Sequence, residues 1–298
     1  MVNVLISTYN GAKYIKEQLD SIFAQTYQEF RVYIRDDGSS DDTLNIIADY
    51  IKNQHLQNRV TVIEGANVGF CCSFFELLKV AKDGDYWAFC DQDDVWYPDK
   101  LLLAVNWMRG KEPDMPLLYH SAFSIGNEDL SEITKYEPAP FRYQFYNSIT
   151  SNVFFGFAIT INRALYERLV LADPTQIKYH DWFAAMITAA FGYYHISHQI
   201  MAVHRQHEHN YSPLYFFSKI PHGIKLLKGD SFYTRNAQEF MRLFGDELEP
   251  EDHEIVSWFA REKYSFSLAL KKAFYPKRWN PQLPVELVLR CLMLIGRI

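Results

Sequence analysis

Cysteine is scarce in this chain. The four present, Cys71, Cys72, Cys90 and Cys291, are too few and too unevenly spaced for a disulfide framework or a zinc site, and are expected as reduced core residues. Positive charge is also short: 30 Lys and Arg stand against 36 Asp and Glu, a formal net charge of -6 with a pI near 5.9. Binding to a phosphate backbone runs on a surplus of cations, so nucleic acid is not an expected partner. Long apolar runs are missing as well. The longest, Val285 to Ile295, is interrupted by Glu286 and Arg290 and is too short to cross a bilayer. The N-terminus enters a strand-like run with no basic and apolar leader pattern, which makes the cytoplasm the expected compartment and any membrane contact a peripheral one. Glycine is lacking where a dinucleotide enzyme needs it, because no G-x-G-x-x-G follows that first run. Nor is Ser7-Thr8-Tyr9-Asn10-Gly11 the glycine-rich, basic loop with which a sugar-phosphate nucleotidyltransferase opens.

What the chain has in quantity is apolar residue, 48% of 298, enough to fill one large α/β domain and a smaller appendage. Strand and helix patterns alternate at short spacing over the first hundred residues, the mark of βαβ units feeding a mostly parallel sheet. Strands are expected at Val2 to Ile6, Phe30 to Ile34, Val60 to Ile63 and Tyr86 to Cys90. Helices between them would bury Ile15, Leu19, Ile22 and Phe23, then Leu44, Ile47, Ala48 and Ile51, then Phe74, Leu77, Leu78 and Ala81. Beyond Leu103 the rhythm loosens. A strand is expected at Leu117 to His120, a loop from Gly126 to Asn147 with Pro138 and Pro140, a strand from Val153 to Ile161, a helix from Asp181 to Ala190 and a last strand at Ile200 to His204. From Tyr215 the pattern is helical and amphipathic, which places a helical extension at 215–298 behind a main domain at 1–214.

Ligands of open α/β sheets sit at the carboxyl ends of the strands, and the residues just after these strands are acidic. At period 2, Asp91 and Asp93 share one face and Asp94 takes the other; two carboxylates at a strand end suit a hard cation, Mg²⁺ or Mn²⁺, with positions open for phosphates. The plainer alternative is an acidic start for the helix near Pro98. A carboxylate of Asp36-Asp37 could accept the N3–H of uracil or thymine, or else cap a helix with Ser39 or Ser40. After the last strand, Arg205 and His207 could engage a diphosphate, His207 also as a third metal ligand, while His204 and His209 fill out the cluster. Trp96 and Tyr97 could stack on a sugar ring or simply pack.

Ser7-Thr8-Tyr9-Asn10, Asp36-Asp37-Gly38-Ser39-Ser40-Asp41, Asn67-x-Gly69 and Asp91-x-Asp93-Asp94, in this order, resemble the family 2 glycosyltransferases of the GT-A fold. The likeness runs over roughly residues 2 to 212, through Gly156, Asn162-Arg163-x-Leu165 and His180-Asp181. It implies an α/β GT-A fold, a nucleotide-sugar half near 1–103, an acceptor half near 104–214, and a metal-dependent, inverting transfer of sugar to a glycan. Asp37 and the backbone near Ser7 and Tyr9 would hold the pyrimidine, within a nucleotide-sugar site that takes in Thr8, Asp36, Asn67 and Gly69. Asp93 and His207 would bind the metal, Asp91 would lie beside the ribose, and Gln92 and Arg205 would complete the donor site. Gly156 and Trp96 would face the acceptor, and Asp181 would be the general base, at a place where the family more often shows Glu-Asp than His180-Asp181.

The pattern Asp91-Gln92-Asp93-Asp94-Val95-Trp96 with Arg205-Gln206-His207 is most similar to bacterial rhamnosyltransferases of cell-wall and capsular polysaccharides. This implies dTDP-L-rhamnose as donor, with UDP-galactose or UDP-glucose as the alternative and a non-catalytic glycan-binding protein as the competing class. In the tail, Lys271, Lys272, Lys277, Arg278, Arg290 and Arg297 face one acid, Glu286, among aromatic and aliphatic residues. That composition suits the anionic inner face of the plasma membrane, where a lipid-linked acceptor would be met. The same segment could instead close the core or form a homodimer surface.

Overall fold

The computed structural model describes residues 1–136, 141–208 and 232–298. The expected boundary at 214/215 lies outside them, as do Pro138, Pro140 and His209. In chain order the elements are β1 (Val2–Thr8), α1 (Ile15–Phe23), β2 (Phe30–Asp36), α2 (Thr43–Asn53), β3 (Val60–Glu64), α3 (Phe70–Val80), β4 (Tyr86–Asp91), β5 (Val95–Trp96) and α4 (Lys100–Met108). There follow β6 (Leu117–Gly126), β7 (Ile133–Lys135), α5 (Phe145–Ser148), β8 (Ile159–Asn162), α6 (Arg163–Leu169), α7 (His180–Phe191) and β9 (Tyr193–Arg205). Four helices close the described chain: α8 (Phe232–Phe244), α9 (Pro250–Phe259), α10 (Phe266–Ala273) and α11 (Leu283–Leu294).

These elements divide into two compact units. The first comprises Met1–Tyr136, Phe154–Val170 and Phe191–Glu208 and holds the whole sheet, ordered β3-β2-β1-β4-β8-β6-β9-β5 with β7 beside β6. The first four strands in that order are parallel, as βαβ units dictate; β8 enters antiparallel between β4 and β6 and makes the far half mixed. Val4, Leu5, Ile6 and Phe89 are fully buried, which is why β1 and β4 read as continuous apolar runs, whereas β2 alternates Phe30, Val32 and Ile34 with exposed Arg31 and with Tyr33. Phe74, Leu77 and Leu78 of α3 lie against them, and Trp87 stacks on Tyr166 at 3.9 Å and 5° while the Tyr166 hydroxyl donates to the Leu78 carbonyl. Asn162 ends β8 and caps α6, its side chain accepting from the Leu165 and Leu117 amides.

Several expectations move by a few residues. Only Ile159–Asn162 of the stretch from Val153 is strand, because Gly156–Ala158 turns as 3-10 helix first. The last strand is far longer than Ile200 to His204 and the loop after Gly126 contains β7. On α2, Ala48 is exposed, and the buried positions are Thr43, Ile47 and Tyr50. Of the four cysteines expected in the core only Cys90 is buried; Cys71 and Cys72 are half-buried on α3 and Cys291 is exposed on α11.

The second unit comprises Glu137–Val153, Leu171–Ala190 and His209–Ile298 and is helical where described. Its core is aromatic. Phe240 meets Phe145, Phe183 and Phe244, Trp182 donates from Nε1 to the Ser148 carbonyl at 2.6 Å, and the buried Trp279 packs edge-on to Phe259. Burying each such side chain contributes about 1.5–3 kcal/mol.

Candidate active site at the strand exits

Parallel register sets Ser7 beside both Arg35 and Asp91, and Thr8 beside Asp36, so the loops leaving β1, β2 and β4 share one edge of the sheet. Asp36, 1% exposed, shapes the first of them from within: it accepts from the hydroxyls of Thr8 and Ser39 and from the Ser39 and Gly38 amides. Thr8 and Asp36 thus hold the loop. Gly38 takes φ +82, and a Cβ there would lie 3.1 Å from the Asn67 amide, so the loop needs glycine at this turn. Asn10, Ser39, Ser40 and Asp41 sew the β1 and β2 loops together, the Asn10 side-chain Oδ1 accepting the Ser40 amide at 2.8 Å and Asp41 accepting the Ala12 amide at 3.1 Å.

Asp37 forms the floor. Its carboxylate is ion-paired with buried Arg35 and accepts the Val68 and Gly69 amides at 2.8 and 2.9 Å. Gly69, at φ +85, starts α3 and brings the Asn67-x-Gly69 turn onto this carboxylate. Arg35 also donates to Ser73 and to the Ala66 carbonyl, and Ser7 donates to or accepts from Ser73 at 2.6 Å. Three hydrogen bonds on Asp37, against about four acceptor sites on a carboxylate, leave room on Oδ2 for one more donor.

At the exit of β4 the strand stops at Asp91, and Gln92-Asp93 form a turn. The period-2 argument for Asp93 and Asp94 therefore does not apply; the turn, not strand alternation, sends them apart. Gln92 pairs twice with the Tyr9 backbone, accepting its amide at 2.8 Å and donating to its carbonyl at 3.0 Å. Gly11 makes room, since a Cβ there would strike the Gln92 amide. Asp93 Oδ2 lies 2.7 Å from His207 Nε2, both side chains about nine-tenths buried. Asp94 turns inward, where His204 Nδ1 stands 2.8 Å away and the Arg205 amide donates at 3.2 Å. Burial alone would lower the His204 pKa, but the charge and hydrogen bond of Asp94, with Asp91 and Asp93 beyond, push it up to about 9.

Arg205 is brought to this place but turned onto protein atoms. Its guanidinium donates to the Asp93 and Glu128 carbonyls and pairs with Glu17, so it braces the β4 turn. Tyr14 was not foreseen: its ring stacks on His207 at 4.9 Å and lies under Arg205, while its hydroxyl donates to Glu128 at 2.8 Å. Trp96 is 3% exposed with Lys100 over its ring, which fits packing, whereas Tyr97 beside it is 38% exposed. Gly156 is buried at the start of the turn before β8. Asp181 belongs to the second unit, half-buried in the first turn of α7, where Oδ1 accepts the Trp182 amide at 2.7 Å.

Among the described residues no three His, Cys, Asp or Glu side chains converge as a closed metal cage. Asp93 and His207 nonetheless offer an oxygen and a nitrogen donor together, and a Mg²⁺ or Mn²⁺ ion bound with phosphates needs only one or two protein ligands. The donor set fits such an ion.

The family model for glycosyl transferase family 2 matches residues 3–170. An uncharacterized Mycobacterium tuberculosis protein, Rv1520, is 29% identical over 212 residues, 70% of this chain; the match spans only 59% of that relative's length. The dTDP-rhamnosyl transferase RfbG of Shigella flexneri is 26% identical over 225 residues, 69% of this chain and 72% of that protein. Among solved structures, Staphylococcus aureus TarS residues 1–349 match with TM-score 0.60 at 18% identity, over 100% of this chain and 80% of that one. A mannosyltransferase of Pyrobaculum calidifontis, in complex with GDP-Man and Mn²⁺, matches at 0.56 and 19%, over 99% and 85%. The fold is the GT-A fold, an α/β sheet flanked by helices with a helical C-terminal region. With more than half its length matched, the chain belongs to glycosyl transferase family 2.

Proposed function

We propose that this chain transfers a sugar from a nucleoside-diphosphate donor, dTDP-L-rhamnose, to a hydroxyl of a growing, lipid-linked cell-surface polysaccharide, with inversion at the anomeric carbon. The observation that carries the reading is the Asp93–His207 pair at the joined exits of β4 and β9, beside the braced floor of Asp37. In this reading the remaining acceptor site on Asp37 takes the imide N–H of thymine or uracil, and the Tyr9 backbone flanks the base. Asp93 and His207 hold the Mg²⁺ or Mn²⁺ ion, with Asp91 beside the ribose. The ion, when bound, supplies charge stabilisation to the departing diphosphate. Arg205 fixes the Asp93 carbonyl and so the turn that aims its carboxylate. Asp181 removes the acceptor proton as the hydroxyl oxygen attacks, a contribution of roughly 10² to 10⁴ in rate. A single displacement needs no second carboxylate nucleophile.

The rhamnosyl donor is supported by the likeness to the Shigella dTDP-rhamnosyl transferase. A UDP-sugar is the second reading, favoured by the matching TarS structure in complex with UDP-GlcNAc. Release of nucleoside diphosphate should be followed across dTDP-L-rhamnose, UDP-galactose, UDP-glucose and UDP-GlcNAc with Mg²⁺ or Mn²⁺. The expected result is fastest release of dTDP. A clear preference for a UDP-sugar would overturn the donor and leave the transfer standing.

A further inference from the structure

The basic residues that set the tail apart in sequence are largely occupied within the second unit. Lys272 is buried and donates to the Ile298 carbonyl at 2.9 Å; Lys271 pairs with Glu254, Lys277 with Glu251 and Arg290 with Glu286. The surface that stands open is the outer face of α11. At 100° per residue, Leu283, Pro284, Leu287, Val288, Cys291, Leu294 and Ile295 fall within an arc of about 140°. Leu283, Leu287, Val288 and Ile295 are 52%, 57%, 56% and 59% exposed, and the arc carries no charged side chain. The nearest charged group borders the arc: Arg290 stands about 20° outside it beside Leu283, with a side chain 24% exposed that covers Glu286, itself 3% exposed. A helix that buries Leu289, Leu292 and Met293 on its inner face and still shows water an unbroken apolar arc has more apolar surface than its own unit covers.

The end of this face is bordered by aromatic and basic groups. The Tyr264 hydroxyl donates to the Leu294 carbonyl at 3.1 Å, and a Cβ on Gly296 would strike the Tyr264 ring, so Tyr264, 57% exposed, lies along the C-terminal turn of α11. Lys263 and Arg297 adjoin these two residues in the chain, with Arg261 two positions before Lys263. All three are exposed and make no ion pair among the described residues. An aliphatic face edged by a tyrosine and free cations matches the boundary of an anionic bilayer, where apolar groups enter the acyl edge and Lys and Arg meet the headgroups. We propose that the outer face of α11, with Tyr264, Lys263 and Arg297, docks this protein on an anionic lipid surface. No helix of the described residues is long and apolar enough to cross a membrane, and docking of this kind needs none.

The full chain should be tested by flotation with vesicles of phosphatidylcholine alone and of phosphatidylcholine mixed with phosphatidylglycerol, without any nucleotide sugar, so that the result does not depend on the donor chemistry. Wild type should float with the mixed vesicles. Leu287→Gln with Val288→Gln, at positions already facing water, should weaken that binding at least about tenfold with thermal midpoint unchanged. Lys263→Gln and Arg297→Gln should each weaken it about fivefold at low salt, with little further loss at high salt. No flotation of the wild type would overturn the proposal. So would a wild-type dimer that the Leu287→Gln, Val288→Gln variant dissociates, which would give this face to a second copy.

Discussion

Asp36 and Asp37 are neighbours with opposite duties: one is consumed by its own loop, the other keeps an acceptor site on a carboxylate held by Arg35 and two amides. Arg35 and Asp37 are 4% and 3% exposed, and breaking a buried pair by removing one partner costs about 3–5 kcal/mol. Arg35→Met should therefore lower unfolding stability by about 3 kcal/mol in urea titrations, and a loss below about 1 kcal/mol would show that the Val68 and Gly69 amides alone hold Asp37. That Asp37, Asp93 and His207 stand at strand exits was legible in sequence, because each closely follows an apolar strand run. Tyr14 and Glu128 were not: the bond between them spans 114 positions, and no local spacing marks either residue. Arg205 is expected from sequence to engage a diphosphate; its contacts with Glu17 and the Asp93 and Glu128 carbonyls join residues far apart in the chain and leave no local spacing to read.

Between elements, the bond that fixes the site is Asp94 to His204, which ties the turn after β4 to the end of β9 and so places Asp93 opposite His207. His204 is raised to about 9 in the folded protein from about 6.5 in an unfolded chain. A raised histidine contributes stability that is full below about pH 6.5 and is lost as pH climbs through about 9. Urea midpoints should fall across that window, and His204→Gln should flatten the fall; an unchanged slope in the variant would assign the pH dependence to other groups. Strands β1 to β4 and helices α1 to α3 were readable because each repeats a clean apolar pattern. β5, with two residues, and β7, with three exposed ones, have too little side-chain burial to leave a period. Ahead of β8 the aromatic run Phe154, Phe155, Phe157 reads as strand, yet it serves ring packing, Phe155 and Phe157 against Phe123 and Phe154 against His120 and Tyr194.

At the scale of the molecule, Asp37, Asp93 and His207 belong to the sheet unit and Asp181 to the helical unit. Asp181→Asn should leave donor affinity near wild type and reduce turnover by at least about a hundredfold. Loss confined to donor affinity would make Asp181 a binding residue. The central claim, that Asp93 is the acidic centre of a metal-assisted sugar transfer, is met most directly by one measurement: nucleoside diphosphate released per enzyme from the preferred donor, by wild type and Asp93→Ala, with Mn²⁺ and with EDTA. The account predicts turnover only for wild type with metal, and an Asp93→Ala protein that is folded by circular dichroism yet silent. Full release by wild type in EDTA, or by Asp93→Ala with metal, would contradict it.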